Sequence, residues 1–235
     1  MLFRSRVFIK TFGCAHNMAD SEMLAHYLQE AGFEVLGVAK EMHSHNKKHL
    51  ENEVIGIMAA DLVIYNTCTV KDPSDSKFFS LLRQTSKPVV IAGCIPQSQS
   101  AQAWLKQYSA VGVDRLDRIV DTVQATLRGE VVHHLSRMDM PPDRDVLPVL
   151  RRNNHVAIVP LLQGCLGGCA YCKTKSARGT LKSYPMQSII KQLRLAKAAG
   201  IKEVWLVSED NGAYGLDRKE TLPQLLQEIA LLGGQ

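Results

Sequence analysis

The chain has 235 residues, of which 46% are hydrophobic and 22% charged, an ordinary composition for a globular protein. No apolar run is long enough to span a bilayer, and the basic start leads into a strand pattern, so we expect neither a membrane segment nor a secretory signal. Positive and negative charges balance within residues 1–132, so the net charge of +5 falls in residues 133–235. A basic second half suits a polyanion such as RNA, although an ordinary solvated surface has the same composition.

Short apolar runs alternate with helical patterns in the first part of the chain, which is typical of a parallel α/β sheet. The strands predicted there are residues 7–12, 61–66 and 88–92. The first helix is predicted with Asp20 or Ser21 as its N-cap and Gly32 at its stop. Further helices are predicted around Phe78, around Trp104, and from Leu116 to Leu127.

Two segments interrupt this alternation. Residues 43–49 are polar and carry three alternating histidines; we interpret them as a mobile loop, with metal binding as the alternative. Residues 133–155 contain three prolines and charges of both signs, which indicates a linker. We therefore predict a first domain over residues 1–132 and a second α/β segment over residues 156–235.

The second segment begins with a predicted strand over residues 156–162, followed by a loop of clustered cysteines, Cys165, Cys169 and Cys172. A helix around Ile189, a strand over residues 203–207 and a last helix around Leu225 follow. The three thiolates have a C-x3-C-x2-C spacing and can bind one compact iron–sulfur cluster. Because three ligands are one short of four, one iron keeps an open position; a zinc knuckle with a remote fourth ligand is the alternative.

The other three cysteines each follow a predicted strand of the first domain: Cys14, Cys68 and Cys94. Successive strand ends of a parallel sheet lie along one edge, which is where α/β proteins bind ligands. A single buried cysteine is usually a small hydrophobic residue, but three at one edge are able to hold one cofactor. With so few cysteines and no export signal, metal or redox chemistry is favoured over disulfides.

With these two cysteine trios, the chain resembles the methylthiotransferases of the radical S-adenosylmethionine (SAM) superfamily. The archaeal and eukaryotic threonylcarbamoyladenosine tRNA methylthiotransferases are the most similar, through motifs that cover nearly the whole chain except the region of His43. The motifs are Lys10-Thr11-Phe12-Gly13-Cys14, residues 66–71, residues 92–97, residues 171–179 and residues 208–215.

The resemblance implies a Rossmann- or flavodoxin-like methylthiotransferase domain followed by the start of a radical-SAM partial (βα) barrel. It also implies two [4Fe–4S] clusters: Cys165, Cys169 and Cys172 would hold the cluster that cleaves SAM, and Cys14, Cys68 and Cys94 the auxiliary cluster. Tyr171 would flank the adenine of SAM, and Ser208 and Glu209 would contact its methionine end. Four basic residues are expected to meet phosphate or only solvent: Lys173, Lys175, Arg178 and Lys182.

The family reaction adds a methylthio group at C2 of N6-threonylcarbamoyladenosine at position 37, beside the tRNA anticodon. A 5′-deoxyadenosyl radical removes the ring hydrogen, and a second SAM supplies the methyl group. Such chemistry needs an electron donor, and an unpaired anticodon loop offers the base for modification. A cytoplasmic location is expected, or the endoplasmic reticulum membrane if a C-terminal anchor has been lost.

The family's barrel is larger and normally ends in an RNA-binding β domain, so the chain resembles a C-terminally truncated member. We expect the chain either to bind both clusters weakly or to leave the second exposed to solvent, and to modify tRNA weakly or not at all by itself. Two alternatives remain open at this point. One is methylthiolation of a ribosomal protein side chain; the other is a non-catalytic iron–sulfur or RNA-binding truncation product.

Overall fold

The computed structural model describes residues 5–40, 47–69, 74–140, 146, 148, 150–151 and 153–233. The strands of its main sheet are β1 (Arg6–Thr11), β2 (Glu34–Lys40), β3 (Leu62–Thr67), β4 (Val89–Gly93), β5 (Ser109–Gly112) and β6 (His133–His134). They lie in the order β2-β1-β3-β4-β5-β6, and every neighbouring pair is parallel. Strand β1 is therefore an interior strand, with β2 and β3 as its neighbours.

Helices cover both faces of this sheet, which is the usual way for parallel strands to be buried. They are α1 (Ala15–Glu30), α2 (Lys47–Ala59), α3 (Ser74–Gln84), α4 (Cys94–Ser98) and α5 (Ile119–Leu127), with 3₁₀ turns at Ala103–Gln107 and Leu116–Arg118. Successive side chains of β1 point to opposite faces. Val7 and Ile9 pack with Leu24 of α1 in one core, and Phe8 packs in a second core with Phe78 of α3.

The second part of the chain forms a smaller α/β unit with its own core, centred on Val159, Ile189, Leu193 and Leu225. Its elements are β7 (Val156–Pro160), β8 (Leu162–Gln163), α6 (Lys173–Arg178), β9 (Lys182–Ser183), α7 (Met186–Ala198), β10 (Glu203–Val207), a 3₁₀ turn (Asn211–Ala213) and α8 (Leu222–Gly233). Strands β7 and β10 are parallel neighbours with α7 between them in the chain, which makes one βαβ unit. Strands β8 and β9 pair antiparallel.

The predicted fold class is confirmed: a parallel α/β sheet is followed by a smaller α/β unit. The prediction omitted β2, the short helix α4 and the strands β5 and β6, which complete the sheet. The helix predicted around Trp104 is a 3₁₀ turn, and the one predicted from Leu116 begins with another. The predicted domain boundary at residue 132 stays a prediction, although β6 joins the main sheet just beyond it.

The predicted start of the first helix was wrong. The helix begins at Ala15 after Cys14 as its N-cap, and Asp20 and Ser21 lie inside it, fully buried. Both polar side chains are used in tertiary contacts: Asp20 pairs with Arg178, and the Ser21 hydroxyl lies 2.7 Å from that of Thr11. Asp and Ser favour helix caps, but here they lie inside the helix and make buried polar contacts.

The predicted mobile loop over residues 43–49 was wrong in its second half, because α2 begins at Lys47. Residues 43–46 lie outside the described residues, so that part of the prediction is not addressed. Helix α2 packs on the sheet through Gly56, where an added Cβ would lie 2.5 Å from the nearest atom of the Phe8 ring. Ile57 of the same helix is partly buried against the core that contains Phe8.

Two candidate cysteine centres

The first cysteine trio lies at one edge of the main sheet. Cys14 follows β1, Cys68 follows β3 and Cys94 follows β4, and these three strands are direct neighbours in the sheet. Cys68 and Cys94 are buried, whereas Cys14 is exposed. The sheet order therefore brings together three residues that are up to eighty positions apart in the chain.

Asn17 contacts this trio from the first turn of α1, and it is fully buried. The Cys14 thiol donates to Asn17 Oδ1 (3.2 Å), and Asn17 Nδ2 lies 3.9 Å from Cys94 Sγ. The same Nδ2 donates to the Thr67 carbonyl oxygen (3.0 Å), next to Cys68. Asn17 thus touches the ends of all three strands. The sequence prediction missed Asn17. The available signal was that Asn17 and Ser21 are two polar residues four positions apart, which places them on one face of the helix.

Two glycines allow the strand ends to approach each other. Gly13 has φ +100°, and a Cβ there would lie 2.8 Å from Cys68 Sγ. Gly93 has φ +92° and ψ −143°, a conformation that is essentially restricted to glycine. A Cβ at Gly93 would lie 2.6 Å from the Thr67 carbonyl oxygen. Each of these glycines immediately precedes a cysteine of the trio, so the position of that thiol depends on a backbone conformation that glycine allows.

Burial raises the pKa of the Cys94 thiol to about 11, and the nearby Arg178 guanidinium only partly offsets this effect. A thiol with a raised pKa is a poor nucleophile at neutral pH. Coordination to a metal deprotonates such a thiol, because the metal stabilises the thiolate directly. The Cys94 thiol is therefore better suited to be a metal ligand than a nucleophile.

The second cysteine trio lies in the loop between β8 and α6. A Cβ built on Gly167 would lie 3.8 Å from both Cys165 Sγ and Cys169 Sγ, so the loop curls around this glycine. Cys169 is exposed, and Cys165 and Cys172 are partly buried. Tyr171 is 88% exposed on the same loop. The second trio therefore comes from a single loop that is accessible to solvent.

The loop is closed by bonds between its two ends. The Cys165 N–H donates to the Gly179 carbonyl oxygen (3.3 Å), and the Lys175 ammonium donates to the Cys165 carbonyl oxygen. Cys172 is the N-cap of α6, and a hydrogen bond from the Lys175 backbone N–H lowers the pKa of its thiol. The three thiols are thus held in one place before any group binds to them.

A buried group of charged side chains joins the two centres. Arg178, the last residue of α6, donates from Nη2 to Asp20 Oδ2 (2.7 Å), and its Nε lies 3.1 Å from Glu209 Oε1. The same Glu209 oxygen lies 2.8 Å from His16 Nδ1. Burial would raise the pKa of Glu209, but His16 and Arg178 outweigh it and lower this pKa. His16 and Asp20 belong to α1, which starts at the first trio, and Arg178 and Glu209 belong to the second α/β unit.

A second buried ion pair lies at the same domain junction. Asp114, just after β5, accepts from Lys182 Nζ (2.6 Å) and from Gln163, the residues that flank the cysteine loop at its base. Arg137 lies 3.4 Å from Asp114 and donates to the Ala177 carbonyl oxygen (2.7 Å). Lys182 and Arg178 are therefore ion-pair residues of the interior. For these two, plain solvation is therefore wrong, and the phosphate contact stays a prediction.

The structure places the three predicted SAM contacts in different surroundings. Tyr171 is exposed, and Ser208 accepts from the Asp210 N–H (3.1 Å) and lies 2.5 Å from Asn211 Oδ1 in the turn after β10. Glu209 is buried in the ion-pair group. Its Oε2 has no hydrogen-bond partner within the described residues. A free, buried carboxylate oxygen fits the recognition of a positively charged group such as an ammonium.

Six free thiols, grouped in two trios, are a donor set of the kind that holds iron–sulfur clusters. Among the residues that the structure describes, no three His, Cys, Asp or Glu side chains come close enough together to hold one ion. A tetrahedral Zn²⁺ needs its ligands at about 2.0–2.3 Å, whereas a four-iron cluster spreads its thiolates over a larger cage. None of the six cysteines forms a disulfide.

Comparison with solved structures shows the fold. The radical S-adenosylmethionine methyltransferase TsrM from Kitasatospora setae, with tryptophan and a SAM analogue bound, superposes with a TM-score of 0.61 at 16% identity, over 95% of this chain and 50% of that one. The cobalamin-dependent S-adenosylmethionine radical enzyme OxsB superposes with a TM-score of 0.57 at 14% identity, over 90% of this chain and 35% of that one. The chain has the α/β fold of these radical-SAM enzymes.

Comparison with curated sequences confirms the resemblance to threonylcarbamoyladenosine tRNA methylthiotransferases that was drawn from the motifs. The chain is 38% identical over 233 residues to the threonylcarbamoyladenosine tRNA methylthiotransferase of Drosophila melanogaster, and 35% identical over 232 residues to that of Homo sapiens. These alignments cover 95% of this chain but 39% and 37% of the relatives. A probable enzyme of the same name from Pyrococcus horikoshii is 32% identical, over 98% of this chain and 51% of its own.

The chain thus spans about 40 to 50% of the length of the curated relatives it matches. A family described as Uncharacterized protein family UPF0004 matches residues 38–113, which include Cys68 and Cys94. Among the described residues, no helix combines the length and the apolar character needed to cross a membrane.

Proposed function

We propose that this chain carries the cluster- and SAM-binding part of a radical-SAM tRNA methylthiotransferase. The reaction would be methylthiolation at C2 of N6-threonylcarbamoyladenosine at position 37 of tRNA. The observation that carries the proposal is the presence of two separate cysteine trios joined by buried ion pairs, in a chain similar over 95% of its length to enzymes of that name. The names of these relatives specify tRNA, so a ribosomal protein substrate is not favoured.

In this proposal each trio holds one [4Fe–4S] cluster. When bound, the cluster on Cys165, Cys169 and Cys172 supplies the electron that cleaves SAM, and the cluster on Cys14, Cys68 and Cys94 supplies or carries sulfur. The protein's own contribution is to hold these groups apart at a defined distance and exclude water between them. The buried residues at the junction suit this task, since Arg178 and Asp20 are almost fully shielded from solvent.

The proposed SAM contacts are Tyr171, Ser208 and Glu209. The exposed ring of Tyr171 is free to stack on the adenine. The unpartnered Oε2 of Glu209 would accept from the methionine ammonium, while Oε1 stays paired with Arg178 and His16. Ser208, in the turn after β10, would lie beside the same end of the cofactor.

The proposed macromolecular partners are the anticodon loop of tRNA and an external electron donor. A modified base in an unpaired loop can leave its stack at low cost, which suits chemistry in the plane of the ring. The cytoplasmic location expected from the sequence stays a prediction. So does the expectation that the chain alone modifies tRNA weakly or not at all.

Iron content after anaerobic reconstitution tests the two-cluster arrangement. The chain should bind about eight irons, and replacing all three cysteines of either trio with alanine should leave about four. The two triple variants serve as controls for each other, since electron paramagnetic resonance should show a different remaining signal in each. Zinc in place of iron, or disulfides between the cysteines, would contradict the proposal.

The reaction itself is tested with tRNA that carries the N6-threonylcarbamoyl group but lacks the methylthio group. The chain alone should give little or no methylthio product, and any product that nucleoside mass spectrometry detects should require both intact trios, SAM and a reductant. The same tRNA without the threonylcarbamoyl group is the matched control substrate. Equal modification of both tRNAs would show that the proposed substrate is wrong.

A further inference from the structure

The side chain of Arg178 has a donor group that the protein itself does not use. Nη2 and Nε contact Asp20 and Glu209, but Nη1 is buried and has no hydrogen-bond partner within the described part of the chain. Leaving a buried donor without an acceptor costs about 1–3 kcal/mol, and more when the group is charged. Such a donor in a side chain only 1% exposed indicates an acceptor that binds there.

The position of Arg178 identifies the kind of acceptor. Ala177, its neighbour in α6, packs with Cys94 and Val113 at the end of the main sheet. Helix α6 packs on α4, which begins at Cys94, so the guanidinium charge would favour the thiolate form of this cysteine. Arg178 thus belongs by sequence to the helix that follows the second trio, but its charge lies beside the first.

The carboxylates around Arg178 contact Nη2 and Nε and leave Nη1 without a partner among the described residues. Asp20 and Glu209 are already paired with other nitrogens of Arg178, so the anion expected at Nη1 must come from elsewhere. Three cysteine thiolates and inorganic sulfide make an iron–sulfur cluster a strong collective acceptor. Second-shell hydrogen bonds of this kind orient metal ligands and tune the metal.

We propose that Arg178 is a positioning residue for the cluster on Cys14, Cys68 and Cys94, to which its Nη1 group donates an N–H···S hydrogen bond. This inference rests on the proposed function, because it requires a cluster at that trio. The bond and the positive charge favour the reduced, more negative state of the cluster. Arg178 therefore raises the reduction potential of the auxiliary cluster, since charge and hydrogen bonds to sulfur help to set that potential.

The same residue provides a physical connection between the two centres. Glu209 contacts Arg178 through Oε1 and has Oε2 free for the proposed SAM contact. A cofactor bound at Glu209 would therefore act on the guanidinium that faces the auxiliary cluster. We expect SAM binding to shift the potential of a cluster that SAM does not touch.

The test measures the reduction potential of the auxiliary cluster alone. In a background with Cys165, Cys169 and Cys172 replaced by alanine, an anaerobic titration with dithionite is followed by electron paramagnetic resonance. Arg178→Met should move the midpoint to a lower potential, and Arg178→Lys should give a smaller shift in the same direction. Asp20→Asn is the matched control: it removes a neighbouring anion, so the midpoint should rise or stay unchanged.

The outcomes separate this inference from the proposed function. If the background variant with Arg178 intact binds no iron at Cys14, Cys68 and Cys94, the proposed function fails. If it binds iron and Arg178→Met or Arg178→Lys leaves the midpoint unchanged, a purely structural role for Arg178 is shown and the inference is overturned. Should Arg178→Met bind no cluster, Arg178→Lys and the double variant with Asp20→Asn decide by the same midpoint comparison.

The connection to SAM is tested in the chain with all six cysteines intact. Addition of SAM should shift the midpoint of the auxiliary cluster, and Glu209→Gln should abolish that shift. Equal shifts with and without Glu209→Gln would contradict the connection but not the hydrogen bond.

Discussion

The two cysteine trios are built in opposite ways. Cys165, Cys169 and Cys172 come from one loop that curls around Gly167, and this loop is open to solvent. Cys14, Cys68 and Cys94 come from three neighbouring strands, and two of them are buried. A local trio is available for a reactive cofactor, whereas a trio fixed by a sheet is shielded. The difference agrees with the proposed roles, in which the loop trio admits SAM and the sheet-edge trio keeps its sulfur from water.

The comparison implies that the two cysteine sites respond differently to substitutions. A loop site depends on a few local bonds and tolerates changes elsewhere, whereas a sheet-edge site depends on the approach of separate strands. The junction residues limit this contrast, because Asp114 supports the loop from the other domain. Three substitutions test these statements.

The largest effect on stability is expected for Asp114→Asn. The substitution leaves the Lys182 ammonium, only 7% exposed, without its carboxylate partner. Breaking a buried ion pair by removing one partner costs about 3–5 kcal/mol. Urea unfolding should show this loss.

The control for Asp114→Asn is Asp117→Asn, which breaks the partly exposed pair with Arg115 and should cost at most about 1 kcal/mol. Equal effects of the two substitutions would show that the junction does not stabilise the chain.

An intermediate effect is expected for Gly93→Ala. The residue would have to adopt a backbone conformation that costs about 1–3 kcal/mol in a non-glycine residue, and its Cβ would meet the Thr67 carbonyl oxygen. The change should separate Cys94 from Cys68 and reduce the bound iron from about eight to about four atoms per chain.

Gly168→Ala, in the loop, is the matched control, since an added Cβ there has no atom within 4 Å. It should retain iron at both trios. Loss of iron from the loop trio in Gly93→Ala would break the comparison, because it would mean that the two centres form together.

The smallest effect on stability is expected for Tyr171→Ala. The ring is 88% exposed, so the free energy of unfolding should change by less than about 0.5 kcal/mol. SAM binding should weaken by about 0.5–1.5 kcal/mol if the ring stacks on adenine. Anaerobic calorimetry measures this, and Tyr171→Phe, which keeps the ring, should bind normally. Normal binding by Tyr171→Ala would remove Tyr171 from the SAM site.

Much of the candidate site was predictable from the sequence because its signals are local. The spacing of Cys165, Cys169 and Cys172 indicates one cluster loop without any knowledge of the fold. The position of Cys14, Cys68 and Cys94 after apolar runs predicted a common sheet edge, and the strand order places them side by side there. The prediction succeeded although β2 was missed, because β2 lies outside the three strands concerned.

The junction was not predictable, because its members carry ambiguous local signals. Asp20 favours a helix cap by residue type but pairs with Arg178, which lies 158 residues away. Arg178 and Lys182 were interpreted as surface cations and are buried. A charge becomes tolerable inside a protein only when a partner is placed beside it, and only the assembled fold places that partner.

The amino-acid sequence alone determined the class of fold, the six thiols and their division into two trios, since periodicity and cysteine spacing are properties of neighbouring residues. Only the tertiary structure decided that Asn17 contacts the first trio and that Arg178 and Glu209 connect the two. The physical reason is that burial and ion pairing depend on distances between elements remote in the chain. Those distances exist only after both domains have packed together.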